Sequence, residues 1–279
     1  MQDKESYRYE KSIDTILIVM IILTGLSLFL YPTVSNYISE RNSSQAIERY
    51  SETVSGVPDE AELAKAQKYN AALYKNSIDS EPMSVSQSDY DNTLNITGDG
   101  MMAYINIPKI NCRLPIYHGT DAETLESYIG HMPSSSLPVG GEGTHCVLTG
   151  HTGLSSAKLL TDLDSMEIGD RFTISALNMD LTYEVESITV VKPDETEAFR
   201  ILSGQDLCTL VTCTPYGINT HRLLVRGHRV ENAAPEVAEV SESFVDVLLN
   251  NPIMIALAAL LVMLMLAYAV MRITCINRD

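Results

Sequence analysis

Basic side chains are scarce in this chain of 279 residues. It has 19 lysines and arginines against 36 aspartates and glutamates, which gives a formal net charge of −17 at neutral pH. Proteins that bind nucleic acids need a basic surface to neutralise phosphates, so the composition disfavours a nucleic-acid ligand. The sequence also has no internal repeat, and Gly140-Gly141-Glu142-Gly143 does not lead into a helix as a phosphate-binding glycine motif would.

Cysteine is sparse as well. There are five, and they are widely scattered along the chain: Cys112, Cys146, Cys208, Cys213 and Cys275. They lack the close, regular spacing of a disulfide framework. We therefore expect at least one free thiol, and we expect no metal or organic cofactor.

Charge is absent from two long stretches near the ends of the chain. Residues 15–31 and 253–271 carry none, and each stretch is close to the roughly 17 to 25 residues that cross a bilayer as a helix. No small-residue cleavage site follows the first stretch, so it predicts an uncleaved anchor rather than a signal peptide.

The basic residues beside these two stretches predict their orientation. Lys4, Arg8 and Lys11 precede the first, and Arg272 and Arg278 follow the second. Basic flanks stay on the cytoplasmic side of a membrane. We therefore expect a protein of the cell membrane with both termini cytoplasmic and residues 32–251 outside the cell.

Hydrophobic patterning divides the outer part of the chain. Residues 35–76 are polar and helix-prone, and a helix that starts near Pro58 carries Leu63, Ala66, Tyr69 and Leu73 on one face. Residues 77–97 lose all periodicity and predict an extended covering segment or a flexible linker. From Gly98 onward, short alternating runs at regular spacing predict a closed or partly closed β-barrel with short peripheral helices. The predicted domains are an anchor (1–34), a helical segment with a possible lid (35–97), a barrel (98–231), a linker (232–251) and a second transmembrane helix with a cytoplasmic tail (252–279).

One predicted hairpin carries a candidate active site. Residues 209–213 and 223–225 have the β-branched, alternating composition of strands, and the residues between them include Pro215 and Gly217. An antiparallel pairing brings Cys213 and Arg222 together at the end of the hairpin. Buried cysteines are more often inert, so Cys213 needs a base or a cation beside it to be a nucleophile.

Histidine is the usual base for a cysteine nucleophile. Of six histidines, His151 is the best candidate because it follows the predicted strand that ends near Thr149, inside a Gly-His-Thr-Gly turn. His145, within that strand, is better explained as structural. His221 is the second candidate, but strand alternation should point it away from Arg222.

These motifs resemble those of the sortases. The segments concerned are Thr-Leu-Val-Thr-Cys213 followed by Thr-Pro-Tyr-Gly-Ile-Asn-Thr-His-Arg222, Leu-Thr-Gly-His151-Thr-Gly-Leu, and Ile-Pro-Lys-Ile-Asn before them. With the two anchors and the helical segment, the chain looks most like the class C, pilus-assembling branch. The resemblance implies a sortase-type closed β-barrel on the surface of a Gram-positive cell, with Cys213 as nucleophile, His151 as general acid or base and Arg222 as stabiliser of the substrate or oxyanion.

The resemblance also implies a reaction. A cysteine transpeptidase would cleave a sorting signal similar to Leu-Pro-x-Thr-Gly, form a thioester and transfer the acyl group to a pilin lysine. The partners implied are pilin subunits and an amine from a pilin lysine or a cell-wall peptide. Anchoring of surface proteins to cell-wall peptide, a cysteine peptidase and a noncatalytic surface protein are the alternatives.

A lid is the one family feature that this sequence matches poorly. Many class C sortases cover the active site with Asp-Pro-aromatic, and the nearest match here is Glu81, Pro82 and Met83. Glutamate can still reach an arginine and methionine can still cover a thiol, but the aromatic contact is missing. An ordinary turn explains these three residues equally well.

Overall fold

The computed structural model describes residues 2–56, 59–79, 85–154 and 156–232, together with residues 260 and 263. Its contacts divide the chain into two compact units, one of which is Ser39–Glu236 and holds the β-sheet and most of the helices. The other includes residues 1–38. The predicted second transmembrane helix and most of the predicted linker lie outside the described residues.

The chain begins with a long helix, α1 (Gln2–Ser55), which has Pro32 inside it. The sequence predicts an anchor followed by a separate helix from about residue 35, but the structure has one continuous helix. Among the described residues, this helix alone is long and apolar enough to cross a membrane. An 18-residue window within Val19–Ser55 has a mean hydropathy of 1.5, and none of it is buried.

The end of α1 packs on the sheet. Its buried residues are Ala46, Ile47, Tyr50 and Val54, spaced three or four apart as on one helix face. The Tyr50 hydroxyl donates to the carbonyl oxygen of Met102 at 2.8 Å and accepts from the amide of Leu177 at 2.9 Å. This side chain therefore joins the helix to two places in the sheet.

Two more helices complete the segment before the sheet. Helix α2 (Glu60–Asp79) buries Ala66, Tyr69 and Leu73, the apolar face that the sequence predicts. Helix α3 (Gln87–Asp91) corrects the expectation of an extended segment over residues 77–97. A capping box stabilises the start of α3, because the side chains of Ser86 and Asp89 each accept a hydrogen bond from the other residue's backbone amide.

Eight strands close into a barrel in the order β1-β2-β3-β4-β7-β8-β6-β5, with β5 paired to β1. The strands are β1 (Met101–Ile107), β2 (Cys112–His118), β3 (Ile129–His131), β4 (Thr144–Thr149), β5 (Arg171–Ala176), β6 (Met179–Val191), β7 (Asp206–Thr214) and β8 (His221–Arg229). The β2–β3 and β4–β7 pairs are parallel, and the other pairs are antiparallel. A short helix, α4 (Ala122–Ser127), connects β2 to β3.

The inside of the barrel is the hydrophobic core. Strand β7 shows the alternation, because Cys208 and Leu210 belong to the core while Val211 belongs to a separate apolar cluster. We call the side that carries Val211 the outer face of the barrel. The closed eight-stranded barrel agrees with the fold class predicted from the sequence, apart from the two membrane helices, of which the described residues contain one candidate.

Candidate active site

The β7–β8 hairpin places Cys213 opposite Arg222. The two residues are register partners at the end of the antiparallel pair, so their side chains lie on the same face of the sheet. The connecting loop is held by the carbonyl oxygen of Pro215, which accepts from the amides of Ile218 and Asn219 at 3.0 and 2.9 Å. The predicted hairpin is therefore present, with longer strands than the sequence indicated.

His151 reaches the same place from β4. Strand β4 lies parallel to β7 with Thr149 opposite Val211, and the amide of Gly150 continues the ladder by donating to the carbonyl oxygen of Val211 at 3.1 Å. Extended by two residues past the end of β4, this register aligns His151 with Cys213, whose partner across the hairpin is Arg222.

Gly150 and Thr212 hold the turn that carries His151. The buried hydroxyl of Thr212 donates to the carbonyl oxygen of Gly150 at 2.8 Å. A side chain at Gly150 would place its Cβ 2.7 Å from Cδ1 of Ile129 and 3.0 Å from Leu160. Only glycine fits here without displacing core side chains, so the backbone before His151 is closely packed on both sides.

Exposure separates Cys213 from the other described cysteines. Cys112, Cys146 and Cys208 are buried, and Cys213 is half-exposed. Burial raises the pKa of Cys112 to about 12 and that of Cys208 well above its ordinary value. Among the described residues, Cys213 is therefore the one thiol with direct access to solvent.

The guanidinium of Arg222 is held mainly by its own hairpin. Its Nη1 donates to the carbonyl oxygens of His221 at 3.1 Å and Asn219 at 3.4 Å. No carboxylate of the described residues forms an ion pair with it, whereas Arg226 on the same strand pairs with Glu186 at 2.7 Å. The charge of Arg222 is thus available to an anionic or carbonyl group of a substrate.

His221 is oriented differently from Arg222. It pairs with Thr214 across the hairpin and its Nδ1 lies 3.0 Å from Oγ1 of Thr220. Adjacent residues of a strand point to opposite faces. His221 therefore belongs to the other face from Arg222, as the alternation predicts.

A small apolar cluster lies near Cys213 on the outer face. Its buried members are Val147, Val211 and Leu224, on β4, β7 and β8, and the last two are each two residues from Cys213 and Arg222 along their strands. The partly buried side chains packed against it are Met132, Val191, Ala198 and Phe199. Ala198 and Phe199 come from the β6–β7 connection, which therefore packs on the cluster.

Two other residues near the site have roles that the sequence did not reveal. Thr212 forms a hydrogen bond to Gly150, just before His151, and His145 forms one to Arg200 in the β6–β7 connection. Thr212 lies in the motif that contains Cys213, but the motif does not show its partner, and both residues act through partners more than 50 positions away in the chain.

The predicted lid residues Glu81, Pro82 and Met83 lie outside the described residues. The described part of the chain contains no cluster of three or more His, Cys, Asp or Glu residues that could hold a metal.

A closed barrel that presents a partly exposed thiol opposite an arginine at the end of a hairpin, with a histidine just after the end of the neighbouring parallel strand, is typical of cysteine transpeptidases built on the sortase fold. Comparison with known proteins makes the assignment specific. Residues 105–230 match the family model of the sortase domain. Sortase D of Bacillus subtilis (strain 168) is 30% identical over 174 residues, which are 61% of this chain and 81% of that protein.

Solved structures agree with the sequence relatives. Sortase C1 of Streptococcus agalactiae is 45% identical with a TM-score of 0.63, covering 68% of this chain and 100% of that one. Its lid mutant is 39% identical with a TM-score of 0.60, over 65% and 95%. Sortase C of Streptococcus pneumoniae, studied for catalysis and pilin substrate specificity, is 39% identical with a TM-score of 0.58, over 68% and 99%. This chain belongs to the sortase family, its structural neighbours are class C sortases, and it is a sortase-type cysteine transpeptidase.

Proposed function

We propose that this sortase cleaves a sorting signal similar to Leu-Pro-x-Thr-Gly through a thioester on Cys213 and transfers the acyl group to a pilin lysine. The observation that supports the proposal is the strand register, in which Cys213 pairs with Arg222 on β8 and Thr149, two residues before His151, pairs with Val211, two residues before Cys213. Pilin as the partner is supported by the class C neighbours, one of which was studied for pilin substrate specificity.

The first half of the reaction forms the thioester. The thiolate of Cys213 attacks the carbonyl carbon between threonine and glycine, and Arg222 stabilises the negative charge that develops on the carbonyl oxygen. His151 donates a proton to the departing glycine amine as the carbon–nitrogen bond breaks. The apolar residues of the signal would pack beside the apolar cluster near Cys213.

The second half transfers the acyl group. The amine of the incoming lysine attacks the thioester carbonyl and loses a proton to His151, and the carbon–sulfur bond to Cys213 breaks. Thioesters react with amines in preference to water more readily than oxygen esters do, which suits an enzyme that must make a new amide. The product is an isopeptide bond, and repetition of both halves polymerises pilin. Neither half requires a metal or an organic cofactor.

Product analysis tests this proposal. Purified enzyme is given a sorting peptide with either a lysine-bearing pilin or a cell-wall peptide, and the products are identified by mass spectrometry. Pilin polymerisation predicts an isopeptide to lysine, anchoring predicts a bond to the cell-wall peptide, and a peptidase predicts free acid alone.

The variant Cys213→Ala should lose both the trapped acyl adduct and the polymer, because no other described cysteine is open to solvent. Cys112→Ala removes a buried thiol elsewhere in the barrel and is the matched control, for which we expect retained activity per folded molecule. Adduct or polymer formation by Cys213→Ala would exclude the thioester mechanism.

The lid and the membrane topology are parts of the same proposal. In the sequence, Glu81, Pro82 and Met83 lie between the end of α2 and Val85, which packs on the core. Two of the neighbouring structures are lid mutants of sortases, which supports a lid in this chain as well. We also propose the predicted domain limits, with the barrel over 98–231, two membrane anchors and both termini in the cytoplasm. Sortases are membrane-anchored surface enzymes, and the apolar part of α1 supports the first anchor.

A further inference from the structure

His145 lies on the outer face of β4 and is fully buried. Each of its ring nitrogens forms a hydrogen bond. Its Nδ1 is 2.8 Å from the carbonyl oxygen of Arg200, and its Nε2 is 2.7 Å from Oγ1 of Thr209. The partners come from two different parts of the chain, since Thr209 is on β7 and Arg200 is in the β6–β7 connection. His145 therefore joins a strand of the barrel to a loop that crosses its outer face.

The two bonds define the tautomer of the ring. A carbonyl oxygen can only accept, so Nδ1 carries the hydrogen and donates to Arg200. The hydroxyl of Thr209 then donates to the lone pair of Nε2. Burial lowers the pKa of His145, partly offset by the bond to Arg200, which is consistent with this neutral form.

The hydrogen bond to Arg200 holds the part of the β6–β7 connection that packs on the apolar cluster. Arg200 ends a single 3-10 turn formed by Glu197–Phe199, and Ala198 and Phe199 of that turn pack on the cluster beside Cys213. Residues 192–197, which precede them, are exposed. The position of Ala198 and Phe199 thus depends on where the carbonyl of Arg200 is held.

We propose that His145 is a positioning residue for the acyl donor: by holding the Arg200 carbonyl, it keeps Ala198 and Phe199 packed on the apolar cluster beside Cys213 and so determines the affinity for the apolar part of the sorting signal. This inference rests on the proposed function for its substrate. It assigns to His145 no contact with the reacting atoms, and Cys213, His151 and Arg222 keep their roles without it.

Replacement by leucine and by asparagine separates this role from general stability. His145→Leu retains apolar volume and removes the donor. His145→Asn places an amide nitrogen close to the position of Nδ1, so it can still donate to Arg200. We expect His145→Leu to raise KM for the sorting peptide about tenfold, the effect of one lost hydrogen bond with an unpaired partner, with kcat almost unchanged. His145→Asn should recover most of the loss.

Arg200→Ala is the matched control. It keeps the main-chain carbonyl and removes only an exposed side chain, whose ion pair with Glu197 is open to solvent. We expect its KM to stay within about twofold of the wild type, because exposed ion pairs contribute little. Equal KM values for the Leu, Asn and wild-type enzymes, or a loss confined to kcat, would overturn the proposal.

Amide hydrogen exchange gives a second readout that needs no substrate. In His145→Leu the amides of residues 198–205 should exchange about tenfold faster than in the wild type, with slower exchange restored in His145→Asn and no change in β1 or β5. If these amides exchange at the wild-type rate in His145→Leu, His145 does not hold the β6–β7 connection, even if the enzyme is active. If they exchange faster but the wild-type protein does not act on a sorting peptide, the role of His145 in holding the connection stands and the proposed function is wrong.

Discussion

Arg222 and Arg226 are two arginines on one face of one strand, and their surroundings assign them different tasks. Arg226 forms an ion pair with Glu186 at 2.7 Å. Arg222 donates to carbonyl oxygens of its own hairpin and lies opposite Cys213. Its position at the end of the predicted hairpin selected Arg222 from the sequence, and the ion pair of Arg226 gives an independent physical reason for the same choice.

Arg222→Lys tests whether the planar guanidinium matters beyond its charge. Lysine keeps the charge but presents a compact ammonium that cannot form two directed bonds at once. We expect kcat/KM for a sorting peptide to fall about a hundredfold, the cost typical of a lost oxyanion donor. Arg226→Lys is the control on the same face, and it should remain within a few-fold of the wild type. Wild-type kinetics for Arg222→Lys would show that the arginine does not stabilise the transition state.

Thr212 is a second residue whose effect on catalysis can be measured. Its hydroxyl lies inside the barrel and donates to the carbonyl oxygen of Gly150, next to His151. Thr212→Val keeps the shape and removes the donor. We expect a loss of about 1 kcal/mol in the free energy of unfolding and a decrease in kcat of about tenfold, because small displacements of a catalytic group are costly.

The control for Thr212 is a threonine that is remote from the site. Thr173 on β5 shares a 3.3 Å hydroxyl contact with Thr182, and Thr173→Val should lose stability without loss of kcat. Chemical denaturation and peptide kinetics on both variants give the comparison. If kcat follows stability equally in the two variants, Thr212 has no specific role in placing His151.

At the scale of secondary structure, local sequence patterns predicted helices and strands but not which strands that are distant in sequence pair with each other. Alternating runs indicated the strands of the β7–β8 hairpin, and the buried face of α2 followed from the spacing of Ala66, Tyr69 and Leu73. The parallel pairing of β4 with β7 joins residues 62 positions apart, for example Thr149 and Val211. No local pattern encodes this pairing, so the position of His151 after a predicted strand made it a candidate, and its assignment to the site depended heavily on the family resemblance.

Helix α3 was missed for a different reason. It has five residues, too few for a periodic pattern, and it lies in a polar stretch rich in serine and aspartate. Its one local signal is the Ser86–Asp89 capping box, since serine followed three residues later by an acidic residue is typical of a helix start. What stabilises α3 is tertiary: Tyr90 is buried, and its hydroxyl donates to the carbonyl oxygen of His131 at 3.0 Å.

The proposed lid has to be tested without removing the core residues that follow it in the sequence. Deleting the whole segment 77–97 would remove Tyr90 and Leu94 from the core, so it would unfold the barrel rather than open it. A glycine-serine replacement of residues 80–84, equal in length, changes the proposed cover alone. We expect a thiol reagent to modify Cys213 about tenfold faster in this variant if the lid is mostly closed.

Cys112 provides the internal control for the lid experiment. It is buried in the barrel, so its labelling should stay slow in both proteins. Fast labelling of Cys112 would reveal unfolding instead of lid opening. An unchanged rate at Cys213 with Cys112 still protected would mean that Glu81, Pro82 and Met83 form an ordinary turn.

At the scale of the whole molecule, the charge distribution gives a prediction about topology. Residues 32–251 carry the entire net charge of −17, while the basic residues near each end flank the apolar stretches. Lysine and arginine flanks are retained on the cytoplasmic side. Both ends of the chain should therefore be inside the cell, with the barrel outside and close to the membrane.

Protease protection tests this topology in the full-length protein. Epitope tags are placed at the N-terminus, at the C-terminus and in the predicted linker at residues 232–251, and intact protoplasts are treated with protease. We expect the linker tag to be digested and both terminal tags to survive until the membrane is permeabilised. Digestion of the C-terminal tag in intact protoplasts would mean that residues 253–271 do not cross the bilayer, and the enzyme would then be tethered by α1 alone. Loss of the N-terminal tag would instead reverse the orientation, a result incompatible with an extracellular sortase barrel.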